Sequence, residues 1–206
     1  MRLEGIEQMV AEGRADRQPA LVREHWAAVW RLWLGEVDVQ SALRNIRAKL
    51  PDNFDLGCGM PGLANIRPTA GGRFEFAEDG LTAVVIPCYD CIAGMLDANP
   101  AAHVEELRDL VAVDIDHPGR FWRRRGDAVV LGNAYLEIPA ETCAPVPVFK
   151  TPMSWLRAAG AGICILDWDW ARDLLLDHEL VAEDLDLGAQ LEDALKPDIW
   201  VRENAA

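Results

Sequence analysis

Acidic side chains lie at the ends of several predicted strands in this chain. Among the candidate functional residues, they have the most clearly defined possible chemistry. The candidates for catalysis or metal binding are Asp114, Asp116, Asp167, Glu183 and Asp184. Carboxylate oxygens are the hard ligands that Mg²⁺ prefers, and bound Mg²⁺ can organise a phosphoryl group for transfer. Asp114 and Asp116 form a DxD pair whose side chains project to one face of an ideal strand, so both can meet one Mg²⁺ ion. The interpretation that we favour in so acidic a chain is that these acids only end strands and cap the following helices.

The segment Asp114-Ile115-Asp116-His117-Pro118-Gly119 resembles the strand-end DxD…G motif of toprim domains, which occur in primases and topoisomerases. Residues 81–96 resemble the strand and helix around the catalytic glutamate of that family. The chain departs from the family in having Pro87-Cys88 in place of Glu-Gly, and a basic stretch and a strand in place of the next helix. The resemblance implies a nucleotidyl-transfer or strand-cleavage fold without its acid–base residue, and therefore an inactive relative. Residues 110–184 also resemble proteins of bacterial mobile elements.

A CxxC motif, Cys88-Tyr89-Asp90-Cys91, lies at a predicted strand-to-helix junction, because Pro87 is expected to end the strand. A helix N-terminus favours a thiolate, so the motif indicates thiol redox chemistry of the thioredoxin kind. The charge of Asp90 opposes a thiolate. A zinc site would need two further ligands, and the sequence contains no second CxxC. The residues that the fold would have to recruit are Cys58, Cys143 and His117.

One dense basic patch follows the DxD pair. It consists of Arg120, Phe121, Trp122, Arg123, Arg124 and Arg125. Guanidinium groups bind phosphates, and flat aromatic rings stack on bases. If the chain binds a nucleic acid directly, we expect this patch to be the binding site, and it is also a candidate surface for another partner. The same arginines can instead form internal ion pairs, which we favour because acidic residues are abundant in the chain.

The formal net charge of −14 is unevenly distributed. Residues 1–50 carry eight Lys/Arg and seven Asp/Glu, whereas residues 129–206 carry five and fourteen. A field this negative opposes direct contact with a phosphate backbone outside the arginine patch. It favours solubility, a basic partner protein or metal ions, and solubility alone is the explanation that we prefer.

A stripe of tryptophans marks the N-terminal part of the chain. Val22, Trp26, Trp30 and Trp33 recur at helical period in a helix that is predicted to begin at Pro19. Such a stripe indicates a broad contact, either with the protein's own sheet or with a partner or second copy. We favour packing on the sheet, since aromatic stripes are more often part of a core.

Residues 145–184 are the segment that must position the acidic candidates. Their order of strand, helix, strand, helix, strand predicts right-handed crossover units and a parallel sheet. Thr151 is expected to cap a helix that begins at Pro152, and the apolar run 163–166 to be a strand covered on both faces. Because parallel strands end at the same edge of a sheet, the strand-end carboxylates are expected to line one common rim.

The fold class is therefore predicted to be α/β, with a mixed sheet whose C-terminal half is a parallel βαβαβ unit. We divide the chain into a helical N-terminal region, residues 1–50, and an α/β domain, residues 51–206. The alternative is that both parts form one continuous domain. Within the second part, residues 51–72 are expected to form a loop and residues 73–86 a hairpin. A helix is expected from Pro100 through Leu110.

The leading functional hypothesis is a non-catalytic acidic accessory or protein-interaction module, linked to phage or plasmid DNA metabolism. The alternatives are a Mg²⁺-dependent phosphoryl-transfer or nuclease-type enzyme and a CxxC redox protein. No cofactor is expected apart from Mg²⁺ in the enzyme alternative. The apolar runs fall short of the ~20 residues that span a bilayer, so no membrane contact is expected. No signal peptide is recognisable and the cysteine count is odd, so we expect reduced thiols and a cytoplasmic location.

Overall fold

A computed structural model describes residues 19–33, 61–92, 104–136 and 145–196. The helices in this part are α1 (Pro19–Trp33), α2 (Pro152–Arg157), α3 (Trp168–Leu175) and α4 (Leu185–Ala194), with a 3-10 turn at Asn133–Tyr135. The strands are β1 (Gly62–Thr69), β2 (Arg73–Phe76), β3 (Leu81–Ile92), β4 (Val104–Asp114), β5 (Phe121–Arg123), β6 (Val130–Leu131), β7 (Val146–Phe149), β8 (Ile163–Ile165) and β9 (Leu180–Ala182). This mixture of helices and strands confirms the α/β class.

The predicted helical region, residues 1–50, is described only in α1, which begins at Pro19 as expected. The rest of that region lies outside the described residues, so the division at residue 50 stays a prediction. Within the described ranges, none of the helices has the length and apolar character needed to cross a membrane.

The first five strands close into a small barrel in the order β1-β2-β5-β4-β3, with β3 pairing back onto β1. Every pairing is antiparallel except the short parallel contact between β2 and β5. Alternate residues of the strands form one core, which includes Ile66, Phe74, Val85 and Leu110, and α1 adds Leu21 to it. Helix α1 therefore belongs to the barrel core.

The predicted loop at residues 62–69 and the predicted strand pairing within residues 73–86 are both wrong. Residues 62–69 were expected in a loop but form β1, and residues 73–76 and 81–86 were expected to pair as a hairpin. In the structure β2 and β3 each pair with β1 and not with each other. The turn at residues 77–80 therefore connects two strands that lie on opposite sides of a third.

The last four strands form a separate sheet in the order β6-β8-β7-β9. Strand β7 pairs in parallel with β8 and with β9, while β6 is antiparallel to β8. Ile163 and Ile165 pack with α3 and α4 on one face. Cys164 and Leu166 pack on the other face with α2 and with the outer surface of the barrel. The run 163–166 is thus covered on both faces, as predicted.

The helix starts of the C-terminal part follow from local capping. Thr151 Oγ1 accepts the Ser154 N–H at 3.0 Å, and Ser154 Oγ accepts the Thr151 N–H at 3.2 Å, which forms a capping box in front of Pro152. Asp167 caps α3 and Asp184 caps α4 through their carboxylates. The predicted Thr151 cap is confirmed. The interpretation that acidic residues after strands cap the next helix is confirmed for Asp167 and Asp184.

The helix predicted from Pro100 through Leu110 is wrong, because residues 104–114 form β4. Asp109 pairs with Cys88 and Leu107 with Tyr89, which leaves Arg108 as the extra residue of a β-bulge. The bulge places Leu107 and Leu110 in the same barrel core despite their spacing of three. A spacing of three is typical of a helix, so the bulge imitates helical periodicity.

The predicted strand-to-helix junction at Pro87 is also wrong, because β3 continues to Ile92. Within the described residues, the pairing of β1 with β3 ends at Val85, and the ladder partner of Pro87 there is Leu110 of β4. A proline is tolerated in a strand where its missing N–H takes no part in a ladder hydrogen bond.

Gly62 sets the distance between α1 and β1. A Cβ atom at this position would lie 2.5 Å from the carbonyl carbon of Ala28 and 2.5 Å from the nitrogen of Val29. Both atoms belong to the backbone of α1, so the helix and the strand would have to move apart to accept any side chain.

We expect Gly62→Ala to lower the free energy of unfolding by about 2–3 kcal/mol, because the added methyl group overpacks the contact between two backbones. Denaturant unfolding measures this change. The matched control is Gly119→Ala, where no heavy atom lies within 4 Å of the new Cβ. Equal destabilisation by the two substitutions would contradict the close approach at Gly62.

Candidate functional site

Asp114 ends β4 and organises the turn that leads to β5. Its Oδ1 accepts the N–H groups of Asp116 and His117 at 2.9 and 3.2 Å, and its Oδ2 lies 3.2 Å from His117 Nδ1. Burial alone would raise the pKa of the Asp114 carboxyl. The hydrogen bonds from Asp116 and His117 outweigh that effect and hold the pKa below its ordinary value. Asp116 is exposed, and its own N–H group is one of these donors.

Asp167 links the second sheet to the barrel. Its Oδ1 accepts the Asp169 N–H at 3.2 Å, and its Oδ2 lies 2.8 Å from Arg123 Nη1. The same Nη1 donates to the carbonyl of Ala128 at 2.8 Å. The two charged side chains are 16% and 18% exposed, so this ion pair is largely shielded from water. Both oxygens of Asp167 therefore have structural partners.

Glu183 lies beyond the end of β9, where β7 also ends. Its Oε2 accepts the backbone N–H of Lys150 at 2.8 Å and the hydroxyl of Ser154 at 2.9 Å. Lys150 Nζ lies 3.1 Å from Asp184 and 3.4 Å from Asp186, and these two carboxylates raise the pKa of Lys150. The N–H of Leu187, followed by Lys150, lowers the pKa of Asp184. This cluster ties together the loops after β7 and β9.

The common rim expected for the strand-end carboxylates is wrong for Asp114 and Asp116, because β4 belongs to the barrel and is antiparallel to both its neighbours. Asp167 and Glu183 do follow parallel strands, but β7 lies between those strands. Two strand spacings separate them by about 10 Å. Among the described residues no group of three or more His, Cys, Asp or Glu side chains is placed to hold a metal ion. The Mg²⁺ site stays a prediction.

The arginine patch is distributed over several internal contacts. Arg124 forms two hydrogen bonds with Glu24 of α1, at 3.1 and 3.0 Å, and its guanidinium carbon lies 5.9 Å from the centre of the Phe76 ring. Arg123 is the partner of Asp167 described above. Both contacts agree with the internal ion pairs that we favoured from the sequence.

The remaining members of the patch differ in exposure. Phe121 is half-buried against the core between the barrel and the second sheet, and Trp122 is half-buried against the barrel core. Arg120 is exposed and Arg125 is half-buried. The patch therefore presents two of its four arginines, Arg120 and Arg125, without an ion pair to another described residue.

Asp109 was not recognised from the sequence, yet it is fully buried. Its carboxylate accepts five backbone N–H groups at 2.8–3.2 Å, from Leu110, Arg125, Gly126, Asp127 and Ala128. Gly126 adopts a φ of 85°, which glycine reaches without the usual steric cost. Successive amides that converge on one anion form a nest, and here the anion is a side chain of the same protein. The sequence signal was one acid inside the apolar run 107–113.

The CxxC motif lies inside β3. Cys88 is buried, and its Sγ donates to the carbonyl of Val130 at 3.1 Å. The side chain of Cys91 lies outside the described part, as do Cys58 and Cys143. The other described cysteine, Cys164, is also buried, and burial followed by the charge of Glu183 raises its pKa. A position within a strand removes the helix N-terminus on which the redox hypothesis depended.

The tryptophan stripe lies on α1, but the side chains of Trp26, Trp30 and Trp33 are outside the described part of the structure. Among the side chains of α1 that the structure describes, the buried ones are Leu21, Val22, His25, Ala28 and Val29. Of the stripe, Val22 is therefore buried. Whether the three tryptophans pack on the sheet, as we favoured, or form a partner surface stays a prediction.

A shallow groove of about 310 Å³ lies between α1 and the first two barrel strands. Its lining includes the apolar residues Ala28, Ala64 and Phe76 and the acidic residues Glu24 and Glu78. Glu24 is already bound to Arg124. The groove therefore has no convergent set of free polar groups among its described lining.

No protein-family model, curated protein or solved structure matched this chain. The resemblance to toprim domains and to mobile-element proteins accordingly remains a prediction from the motifs alone.

We expect Asp109→Asn to lower the free energy of unfolding by about 3 kcal/mol or more. An asparagine amide would place its own donors against backbone N–H groups that need an acceptor, in a site without water contact. Calorimetric or denaturant unfolding measures the change, with the exposed neighbour Asp127→Asn as the control. A loss no greater than that of the control would show that the carboxylate does not hold the loop.

Asp114→Asn tests the turn after β4 through its pH dependence. Because the folded-state pKa of Asp114 is lowered, its carboxylate contributes stability above the unfolded-state pKa, and that contribution disappears as the pH falls through the folded-state value. We expect wild type to be more stable than the variant by about 1 kcal/mol near neutrality. The difference should shrink between about pH 5 and pH 2.

The control for this measurement is Asp116→Asn, at an exposed side chain of the same turn. It should change stability by less than about 0.5 kcal/mol. A wild-type advantage that stays constant down to the lowest pH would contradict the role given to the charged Asp114 carboxylate.

Proposed function

We propose that this chain is a non-catalytic protein-interaction module whose acidic surface binds a basic partner protein, in the cytoplasm and in connection with phage or plasmid DNA metabolism. The observation that carries the proposal is the surface of the C-terminal part. The large apolar side chains that are exposed in the described residues all fall between residues 170 and 185: Trp170, Leu174, Leu176, Val181 and Leu185. Large apolar side chains that are exposed close together are typical of binding surfaces.

The charge around these apolar residues is strongly negative. Residues 167–196 contain ten Asp/Glu and two Lys/Arg. Lys196 pairs with Asp193, and Arg172 donates to the carbonyl of Lys196 at 2.7 Å. The two cations of the segment are thus already engaged within it. A surface with apolar side chains among excess carboxylates is complementary to a partner that carries apolar and basic groups together.

The internal bonds of the candidate catalytic residues also support a non-catalytic role. A Mg²⁺ ion bound by Asp114 would compete with the hydrogen bonds from Asp116 and His117, and an ion bound by Asp167 would compete with Arg123. The same holds for phosphate at Arg123 and Arg124, because each guanidinium already faces a carboxylate. Direct nucleic-acid binding is therefore not part of the proposal, and the link to DNA metabolism runs through the partner.

We also propose that residues 145–184 are the parallel βαβαβ unit expected from the sequence. The parallel pairing of β7 with β8 and with β9 supports this. In the proposed module this unit is the scaffold that presents α3 and α4, which pack together on one face of its sheet.

Affinity capture tests the proposal. We expect the tagged full chain to retain a basic protein from its own host at about 0.1 M salt and to release it at about 0.5 M, because screening weakens attraction between exposed charges. The purified partner should then bind the chain in calorimetric titration with the same salt dependence. An unrelated acidic protein of equal net charge is the control bait. Recovery of the chain alone at every salt concentration would refute the proposed function.

A further inference from the structure

Helix α3 carries two adjacent rows of exposed side chains. The apolar row is Trp170 and Leu174, which are 72% and 41% exposed. The acidic row is Asp169 and Asp173, both exposed, and exposed Asp177 follows just beyond the helix. Residues four apart are neighbours on a helix surface, so each row is continuous and the two rows lie side by side.

The other sides of α3 are occupied by the protein itself. Ala171 and Leu175 are buried against the second sheet. Arg172 reaches the carbonyl of Lys196 at the end of α4, at 2.7 Å. Helical geometry places Arg172 on the opposite flank of the buried face from Leu174. The apolar row is therefore on the flank away from α4 and is not covered by that helix.

The charge of the acidic row selects the occupant of this surface. A second copy of the chain would bring the same aspartates and repel the first. An anionic membrane surface and a nucleic acid are disfavoured for the same reason. A segment with apolar side chains beside Lys or Arg satisfies both rows, and the face of the Trp170 indole also attracts a cation.

We infer that the α3 surface, defined by Trp170, Leu174, Asp169 and Asp173, docks a basic amphipathic segment of the partner protein. This inference rests on the proposed function and names the surface and the partner chemistry. Helix α3 has eight residues and is about 12 Å long, so it matches roughly two turns of a partner helix. A contact this small is of the weak, transient class.

The test uses a synthetic helical peptide with leucine on one face and lysine on the other, titrated into the full chain by calorimetry. We expect Trp170→Ala/Leu174→Ala to weaken binding by at least about 10-fold, because a buried tryptophan anchor is lost. Asp169→Asn/Asp173→Asn should weaken it about 3- to 10-fold at roughly 0.05 M salt, and this difference should shrink at roughly 0.5 M.

A matched control lies on the barrel. Glu75→Gln/Glu78→Gln removes two exposed charges outside residues 167–196, the segment that carries the proposed binding surface. This control should change the affinity by less than about 2-fold. The substituted positions on α3 are exposed, and unchanged thermal unfolding of each variant will confirm that the fold is intact.

Each remaining outcome overturns the inference. Equal binding of a scrambled peptide of the same composition would show charge attraction without recognition of the apolar row. Peptide binding that neither α3 variant weakens would place the contact elsewhere but leave the proposed function standing. No binding of the peptide to wild type would remove the docking role of α3, and the host-capture experiment would then decide the proposed function separately.

Discussion

The structure depends on one buried negative charge. Asp109 has no exposed surface, and its carboxylate is satisfied by backbone N–H groups of its own strand and of residues 125–128. Those residues form the connection between the barrel and the second sheet, and Arg123 just before them bonds Asp167 at the start of α3. Burying this carboxylate without these donors would cost several kcal/mol of stability. The buried position of Asp109, next to the bulge at Arg108, therefore requires the loop and the sheet junction that supply the donors.

The internal pairing of charged side chains also explains why the surface is negative. The chain has fourteen more acidic than basic residues, and two arginines of its densest basic patch are committed to internal carboxylates. Few cations are left to neutralise the C-terminal helices, whose exposed acids include the row beside Trp170 and Leu174. Structural use of arginine in the barrel thus produces the negative, partly apolar surface on which the proposed interaction depends. The proposed function follows from this distribution of charge and not from any arrangement of catalytic groups.

Local signals predicted the C-terminal part well, whereas pairing between distant segments was not predictable. The Thr151 cap and the run 163–166 depend on neighbouring residues, so the sequence contains the necessary information. The barrel was missed because β1 has its partners in two other segments and because the bulge at Arg108 gives β4 a helical spacing. The candidate site was unpredictable for the same reason, because the distance between Asp114 and Asp167 depends on which strands pair. The role of Asp109 depends on donors 16–19 residues away.

The contact between Arg124 and Glu24 joins residues that are 100 positions apart. During synthesis α1 leaves the ribosome before the barrel strands, and its partners Phe74, Leu110 and Arg124 follow much later. Until β4 and β5 are made, the apolar face of α1 has no complete core to enter. Closing so long a loop is slow, because chain entropy must be lost before the contact is gained. We therefore expect the nascent chain to expose the apolar face of α1 until the barrel strands are made, and exposed apolar surface of this kind favours misfolding and chaperone binding.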